Sequence, residues 1–308
     1  MRRSRRVATL LGMTRHLLTA AALLALAACG GDDGVSDSQR VPLGVEDDEP
    51  APAAEPAVAP APDGAALALT TYDCGTIEIG DLDVFADDGS YAGQTDTYAD
   101  TCFLIEHPSG QSLLWDLGVP AGLADSGPMT EGPFTVSLDA KLADQLSVRP
   151  TYVAVSHGHF DHVGQAEVAE GATWLVHEDE LAAMKEGVVE DRGGAFGELM
   201  ALSTETFTGE RDVFGDGSVR IVPTPGHTPG HTSLLVDLAE GGAVLLTGDL
   251  YHREESREGE KVPRFNTDAA ATRASMERFE ALADELGARV VIQHEPRDVE
   301  AMIGRTLR

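Results

Sequence analysis

The 308-residue sequence predicts a mixed α/β domain in which two mixed β-sheets are flanked by helices. Three observations predict this fold class. Short apolar runs rich in Val, Ile, Leu and Thr recur between polar breaks, as strands do. A few helical segments are interspersed among these runs, mainly late in the chain. Histidines and aspartates follow several of the runs directly, at the strand ends where an α/β fold usually builds its site.

The strands are predicted where β-branched and other apolar side chains dominate a short run that is bounded by polar or turn-forming residues. They are expected at 67–72, 75–79, 101–107, 112–116, 151–156, 172–176, 219–223, 232–237, 243–247 and 289–293.

Three helices are predicted outside these sheets, at 136–147, 178–185 and 268–286. The last is the clearest. Apolar residues recur three and four positions apart up to Leu286, Thr267 or Asp268 can cap the start, and Gly287 can end the helix.

The first 28 residues are predicted to be a lipoprotein signal peptide. Arginines without any acid precede an apolar run at 17–28, which is shorter than the roughly 20 residues of a membrane-spanning helix. The run ends in Leu-Ala-Ala-Cys, which resembles a bacterial lipobox and implies lipid attachment to Cys29 and thus a membrane association. A plain secretory signal with an incidental cysteine is the alternative. The protein is therefore expected to be exported and lipid-anchored to the bacterial cell envelope, on the periplasmic side or the outer surface.

Residues 29–66 are predicted to form a disordered, acidic, Pro/Ala-rich tether, because they offer almost no large apolar group to offset the entropy of ordering. The folded domain is then expected at 67–308. The formal net charge of the whole chain is -30. Such a surface repels phosphate backbones, which argues against nucleic acid as a partner.

Two cysteines remain in the predicted domain, Cys74 and Cys102, each in a strand-like segment. An exported domain meets an oxidising compartment, so these two can form a disulfide if their strands pair. Two buried free thiols are the alternative.

The segment Ser-His-Gly-His-Phe-Asp-His-Val-Gly, residues 156–164, predicts a metal site. It follows a predicted strand. In an extended segment, residues two apart point the same way, so His157 and His159 can converge on one ion. Asp161 and His162 lie beyond a turn and point towards a second ion. Chance rarely sets four ligand-type residues at this spacing.

Further candidate ligands lie downstream, each in a loop after an apolar stretch: His227, Asp249 and His294. Five imidazoles and two carboxylates suit two divalent ions, with zinc as the best match and iron, manganese or cobalt as alternatives. Of the other histidines, His231 is expected to hold its Pro/Gly turn. His107 and His177 are expected to be surface or core residues, and His16 to be lost with the signal.

Taken in order, HxHxDH, "TPGHTPGHTS", "LLTGD" and a late histidine resemble the metallo-β-lactamase superfamily over about residues 67–308. The resemblance implies a four-layer αββα sandwich with two metal ions at one edge. Carried over by position, one ion is held by His157, His159 and His227, and the other by Asp161, His162 and His294. Asp249 bridges both ions, and Asp116 in "LLWDLG" supports the ligands from behind.

Within this group, the stretch after Asp249 is similar to the N-acyl-homoserine lactone lactonases, in which a Tyr three residues after the bridging Asp contacts the substrate carbonyl. Here the third position is His252 and Tyr251 comes one residue earlier. A one-residue deletion would align Tyr251, which we take as the better candidate for this contact.

The resemblance implies a metal-dependent hydrolase that opens the lactone ring of N-acyl-homoserine lactones, and so degrades quorum signals, by means of a metal-bridging hydroxide. Asp161 is expected to shuttle a proton, and the loops at 117–134 and 196–207 to line an apolar acyl pocket. Two alternatives remain: esterase, thioesterase or phosphodiesterase chemistry on the same metals, and a lipid-tethered metal-binding protein without hydrolytic activity.

Overall fold

Two β-sheets that pack face to face form the centre of the fold. The structure is a computed structural model and describes residues 66–308. The predicted signal peptide at 1–28, Cys29 and the predicted tether up to residue 65 lie outside the described residues.

The first sheet has nine strands, in the order β4-β5-β1-β2-β3-β6-β7-β8, with β14 paired to β1 beside this path. Its strands are β1 (Ala68–Ile79), β2 (Asp96–Glu106), β3 (Ser112–Trp115), β4 (Met129–Glu131), β5 (Phe134–Ser137), β6 (Tyr152–Ala154), β7 (Thr173–His177), β8 (Ser203–Phe207) and β14 (Thr306–Leu307).

The second sheet has five strands, in the order β13-β12-β11-β10-β9. They are β9 (Arg211–Asp212), β10 (Val219–Pro223), β11 (Thr232–Leu238), β12 (Gly242–Leu246) and β13 (Arg289–Val291). Within each sheet some pairs are parallel, such as β3 with β6 and β12 with β13, and others are antiparallel.

The α-helices are α1 (Leu123–Ser126), α2 (Leu142–Gln145), α3 (Phe160–Val163), α4 (Glu178–Glu186), α5 (Phe196–Met200), α6 (Glu254–Glu258), α7 (Ala269–Leu286) and α8 (Pro296–Val299). Among the described residues, no helix combines the length and the apolar character needed to cross a bilayer.

The apolar residues sort into layers that follow the two-residue period of the strands. Along β3, Leu113 and Trp115 face the second sheet, while Leu114 faces outward. The outer face of the first sheet is covered by α4 and α5, which contribute Met184 and Leu199. The outer face of the second sheet is covered by α7 through residues such as Phe279. The predicted αββα sandwich of two mixed sheets is therefore confirmed.

One predicted pair of strands is a single element. The runs at 67–72 and 75–79 form one strand, β1, whose pairing with β2 shifts register between Asp73 and Gly75. Such a bulge adds one residue and bends a strand without ending it. A disulfide between Cys74 and Cys102 joins β1 to β2 at this place, with the two Cα atoms 5.9 Å apart.

The predicted helix at 136–147 is wrong in its first half. Residues 134–137 form β5, which pairs with β1, and only Leu142–Gln145 is helical. The apolar residues 138, 142 and 146 are spaced as on a helix, whereas 134 and 136 alternate as on a strand, and the pairing with β1 decides between the two patterns. The segment 196–207, expected to be a loop, is instead α5 followed by β8.

Both ends of the described chain lie at one end of the first sheet. Ala68 at the start of β1 pairs with Glu106 at the end of β2, and Leu307 of β14 pairs with Leu69. β3 and β6 run parallel to each other, with carboxyl ends that point to the opposite end of the sheet.

Candidate metal centre

Seven side chains converge where several strands end. His157 follows β6, Asp249 follows β12 and His294 follows β13, while His227 lies in the loop between β10 and β11. His159 directly precedes α3, which carries Asp161 and His162. The metal-ligand residues predicted from the sequence are thus brought together in two groups, one of His157, His159, His227 and Asp249 and one of Asp161, His162 and His294.

In the first group, the ligand atoms are close enough to share one ion. Nδ1 of His159 lies 2.8 Å from Nε2 of His157 and 3.0 Å from Nε2 of His227. Oδ2 of Asp249 lies 3.3 Å from Nε2 of His227. Donors on a tetrahedral ion with bonds of about 2.0–2.1 Å are spaced in this way.

In the second group, Nε2 of His162 and Nε2 of His294 are 3.3 Å apart. The carboxylate of Asp161 lies 4.0 Å from the first nitrogen and 3.9 Å from the second. Oδ1 of Asp249 is 3.0 Å from both. Asp249 thus offers one carboxylate oxygen to each group, as a bridging ligand would.

The donor set fits cations better than it fits a hydrogen-bonded cluster. His227 directs Nδ1 at the side-chain oxygen of Asn266, 2.7 Å away, and His294 directs Nδ1 at the carbonyl of Ala99, 2.8 Å away. Since these oxygens only accept, each ring carries a proton on Nδ1, and its Nε2 faces the centre, where loss of any second proton exposes a lone pair. Oδ1 of Asp249 is buried and lies 3.0 Å from Nε2 of both His162 and His294. Converging lone pairs of this kind are what a metal ion requires.

Protonation differs between the two groups. Burial lowers the pKa values of His157 and His159 well below the usual range, and neighbouring histidines add to this effect. Burial also lowers the pKa of His162 and of His294, but nearby carboxylates, Asp249 foremost, raise both by more. The pKa of His294 is raised to about 9. Protons therefore compete with a metal ion for the histidines of the second group more strongly than for those of the first.

Asp116 supports the ligands from behind, as expected, and it is fully buried. Its carboxylate accepts hydrogen bonds from the backbone of Ser156 at 2.6 Å, from Nε2 of Gln293 at 2.8 Å and from Nδ1 of His162 at 3.0 Å. Gln293 in turn accepts from the backbone of Gly248 at 2.9 Å. These bonds connect the loops after β3, β6, β12 and β13, and they fix the ring orientation of His162.

His231 does more than hold its turn. Its Nδ1 lies 3.0 Å from the carbonyl of Thr224, and its Nε2 accepts the backbone N–H of Asp249 at 2.9 Å. Burial lowers its pKa to about 3, so the ring stays neutral and can accept this bond. His231 therefore orients Asp249, whose carboxylate belongs to both ligand groups.

Tyr251 does not lie where the carbonyl contact requires it, and this expectation is corrected. Its ring packs against Phe279, and its hydroxyl donates to Oε1 of Glu280 at 2.9 Å, on the α7 side of the second sheet. His252 points the other way, with Nε2 at 3.0 Å from Oδ2 of Asp249. Successive residues of an extended segment point to opposite sides, so only one of the two can face the centre.

A cavity of about 300 Å³ opens directly over the two groups. Its polar floor includes Asp161, Asp249, His252 and His294, and Glu190 and Arg192 also line it. Its walls are mostly aromatic and aliphatic. They are formed by Ile77, Phe85, Tyr98, Phe134, Phe160, Val188 and Phe265. Of the two loops expected to line an acyl pocket, only 117–134 contributes, through Phe134. The segment 196–207 forms α5, on the outer face of the first sheet, and the edge strand β8.

The sequence analysis missed three groups that hold the ligands. Gln293 precedes a predicted ligand, Asn266 precedes the predicted start of the last helix, and Glu180 lies in the predicted helix at 178–185. Glu180 is 1% exposed and accepts hydrogen bonds from both loops of the first group. An acidic residue in the first turn of a helix is ordinary, so no sequence pattern identifies it.

Comparison with known proteins agrees with this geometry. Residues 96–294 match the profile of the metallo-beta-lactamase superfamily. The chain belongs to this superfamily. The sequence-based prediction of a metal-dependent hydrolase of the metallo-β-lactamase superfamily is thereby confirmed.

Among relatives of known activity, the chain is similar to N-acyl homoserine lactonases named AttM. The protein of Azorhizobium caulinodans is 29% identical over 215 residues, which cover 63% of this chain and 81% of that protein. The protein of Agrobacterium fabrum is 31% identical over 216 residues, with the same coverage. A crystal structure of a Bacillus thuringiensis AiiA variant with N-decanoyl-L-homoserine bound superposes with a TM-score of 0.65 at 21% identity, covering 77% of this chain and 96% of that one.

Proposed function

We propose that this protein opens the lactone ring of N-acyl-homoserine lactones and thereby degrades quorum signals. The observation that carries the proposal is the position of the two ligand groups at the floor of an apolar cavity, in a chain homologous to named lactonases. The substrate has a polar lactone ring, which must reach the polar floor of the cavity, and an acyl chain, which suits its apolar walls.

We propose that the seven side chains would hold two divalent ions, zinc in the first instance, and that Asp249 would contribute one carboxylate oxygen to each ligand group. Such a pair supplies Lewis acidity and a hydroxide nucleophile at neutral pH. The chain's own contribution is to fix the ligands through Asp116, His231 and Asn266, which removes the need for reorganisation when substrate arrives.

Two residues act on the substrate in this proposal. Asp161 lines the cavity, and its side chain is 12% exposed, so it can take the proton of the attacking water and return it to the leaving alkoxide. His252 also lines the cavity and stands at the position where the resembled lactonases carry tyrosine. We therefore assign the contact with the substrate carbonyl to His252 and not to Tyr251.

We further propose that the protein is exported and anchored to the cell envelope by a lipid on Cys29. The disulfide between Cys74 and Cys102 supports export, since such bonds persist in oxidising compartments.

A substrate panel tests the proposed activity. The zinc-loaded protein is assayed with N-acyl-homoserine lactones, plain lactones, thioesters and p-nitrophenyl phosphate esters, before and after chelation. We expect ring opening of the acyl-homoserine lactones, its loss with the chelator and its return with zinc. Asp249→Asn, which removes the bridging charge, is expected to be inactive. Turnover only of thioesters or phosphodiesters, or full lactone turnover by the metal-free protein, would refute the proposal.

A further inference from the structure

Glu180 is an acidic side chain enclosed between the two loops that carry the first ligand group. It lies on α4, is 1% exposed, and takes no part in the proposed chemistry. Oε1 accepts the backbone N–H of Gly158 at 2.8 Å. Oε2 accepts the hydroxyl of Thr228 at 2.7 Å and the backbone N–H of Gly230 at 3.0 Å.

All three donors are neighbours of predicted ligands. Gly158 lies between His157 and His159, and Thr228 directly follows His227. The carboxylate of Glu180 therefore connects the segment that carries His157 and His159 to the segment that carries His227. A shift of either segment would lengthen at least one of these hydrogen bonds.

Both loops also pack tightly against the α4 region, and at Gly230 the approach leaves no room for a side chain. A Cβ atom on Gly230 would overlap the backbone of Glu180, and one on Gly158 would lie 3.0 Å from Val189 and 3.1 Å from Met184. Glycine at both positions lets the backbone reach the carboxylate. The helix and both loops are thus closely packed around Glu180.

The second ligand group is held by other contacts. His162 is oriented by Asp116, and His294 by the carbonyl of Ala99. Every hydrogen bond that Glu180 accepts among the described residues comes from the loops of the first group. The two groups share Asp249 and the hydroxyl of Ser156, which lies 3.1 Å from Nδ1 of both His157 and His162, but only the loops of the first group contact Glu180.

We propose that Glu180 is a positioning residue for the first group, which sets the distance between the 157–159 segment and His227 and hence the affinity of that group alone for its ion. This inference rests on the two-ion arrangement proposed above. A glutamine at this position has one acceptor oxygen, and its amide nitrogen would face either Gly158 or the Thr228 and Gly230 donors. One connection is therefore lost while the volume is kept.

Zinc affinity, measured by competition with a chromophoric chelator, tests the proposal without reference to turnover. Glu180→Gln is combined with His294→Ala, which leaves the first group, and separately with His227→Ala, which leaves the second. We expect the added Glu180→Gln change to weaken zinc binding about tenfold or more in the first background and to leave it unchanged in the second. Glu186→Gln, an exposed change on the same helix, is the matched control.

A role limited to stability predicts a different result, because it would lower the melting temperature of the metal-free protein without distinguishing the groups. Should Glu180→Gln fold poorly, Thr228→Val removes one donor and Thr228→Ser retains it, and only the valine variant should weaken the first group. Equal weakening in both backgrounds, or none in the first, overturns the inference. If the unaltered protein binds fewer than two ions, the proposed function fails together with it.

Discussion

At the scale of single residues, Asp249 is the point on which both ligand groups depend. Its backbone is held by His231, and its two oxygens face different groups. Burial alone would raise its pKa, but the surrounding histidines, His252 first, hold the pKa of this carboxyl well below its usual value. Asp249 therefore stays ionised, and the binding of ions at low pH is limited by the histidines.

Acidification should release the ion of the second group first. A histidine with a raised pKa in the metal-free protein must lose a proton before it can bind, so apparent affinity falls roughly tenfold per pH unit below that pKa for each such ligand. The pKa of His294 is about 9 and that of His162 is also raised, whereas His157 and His159 have lowered values.

Metal content measured after equilibration between pH 8 and pH 5 should thus fall from two ions to one before it falls to none. Simultaneous loss of both ions would contradict the expectation that the second group releases its ion first.

The two adjacent candidates for the carbonyl contact can be separated by mutation. His252→Phe should lower kcat for acyl-homoserine lactones about a hundredfold, as the loss of a group that stabilises the developing oxyanion does. Tyr251→Phe should leave kcat unchanged and cost about 1 kcal/mol in the free energy of unfolding, because only the bond to Glu280 is lost. The reverse pattern in steady-state kinetics would restore the assignment to Tyr251.

At the scale of elements, the ligand-bearing strands could be predicted because each is a buried apolar run with a polar residue directly after it. The same holds for α7, where Asp268 caps the first turn and Gly287 ends the last in a left-handed conformation. β4 and β8 could not be predicted, because their residues are mostly exposed and polar. Such strands depend on pairing with a neighbour and not on a pattern of their own.

The residues of the site also fall into those that the sequence predicts and those that it does not. The seven candidate ligands come from short motifs, in which residue type and spacing carry the information. Glu180, Asn266 and the carbonyl of Ala99 reach the ligands only through tertiary packing. Their sequence neighbours therefore contain no indication of their role.

The start of α7 also contacts the loop that carries His227, so the helix cap at Asp268 can be tested by mutation. The Asp268 side chain accepts from the backbone of Ala270 and Ala271, each at 2.9 Å. The backbone N–H of Asp268 donates to the carbonyl of Gly226, and the backbone N–H of Thr267 donates to the carbonyl of His227. Asp268→Ala should cost about 1 kcal/mol in urea unfolding, while Asp268→Asn, which retains a cap, should cost much less. Equal stability of the alanine variant would argue against this cap.

At the scale of the whole molecule, the proposed attachment to a membrane rests on a single residue, Cys29, which lies outside the described part. Cys29→Ser should therefore shift the protein from the membrane fraction to the soluble fraction of lysed cells, as judged by immunoblot. The unaltered protein extracted with detergent is the control. A serine variant that stays with the membranes would contradict the proposed lipid anchor.

The pairing of β1 has a practical consequence. Leu69 and Leu307 pair with each other, while Ile77, eight residues further along the same strand, borders the cavity, a distance of roughly 26 Å at strand spacing. Whatever is joined to either terminus of the domain, be it a resin, a fusion partner or a display scaffold, is attached at the back of the molecule. The entrance stays clear for diffusing solutes, so immobilisation by either end is compatible with unhindered access.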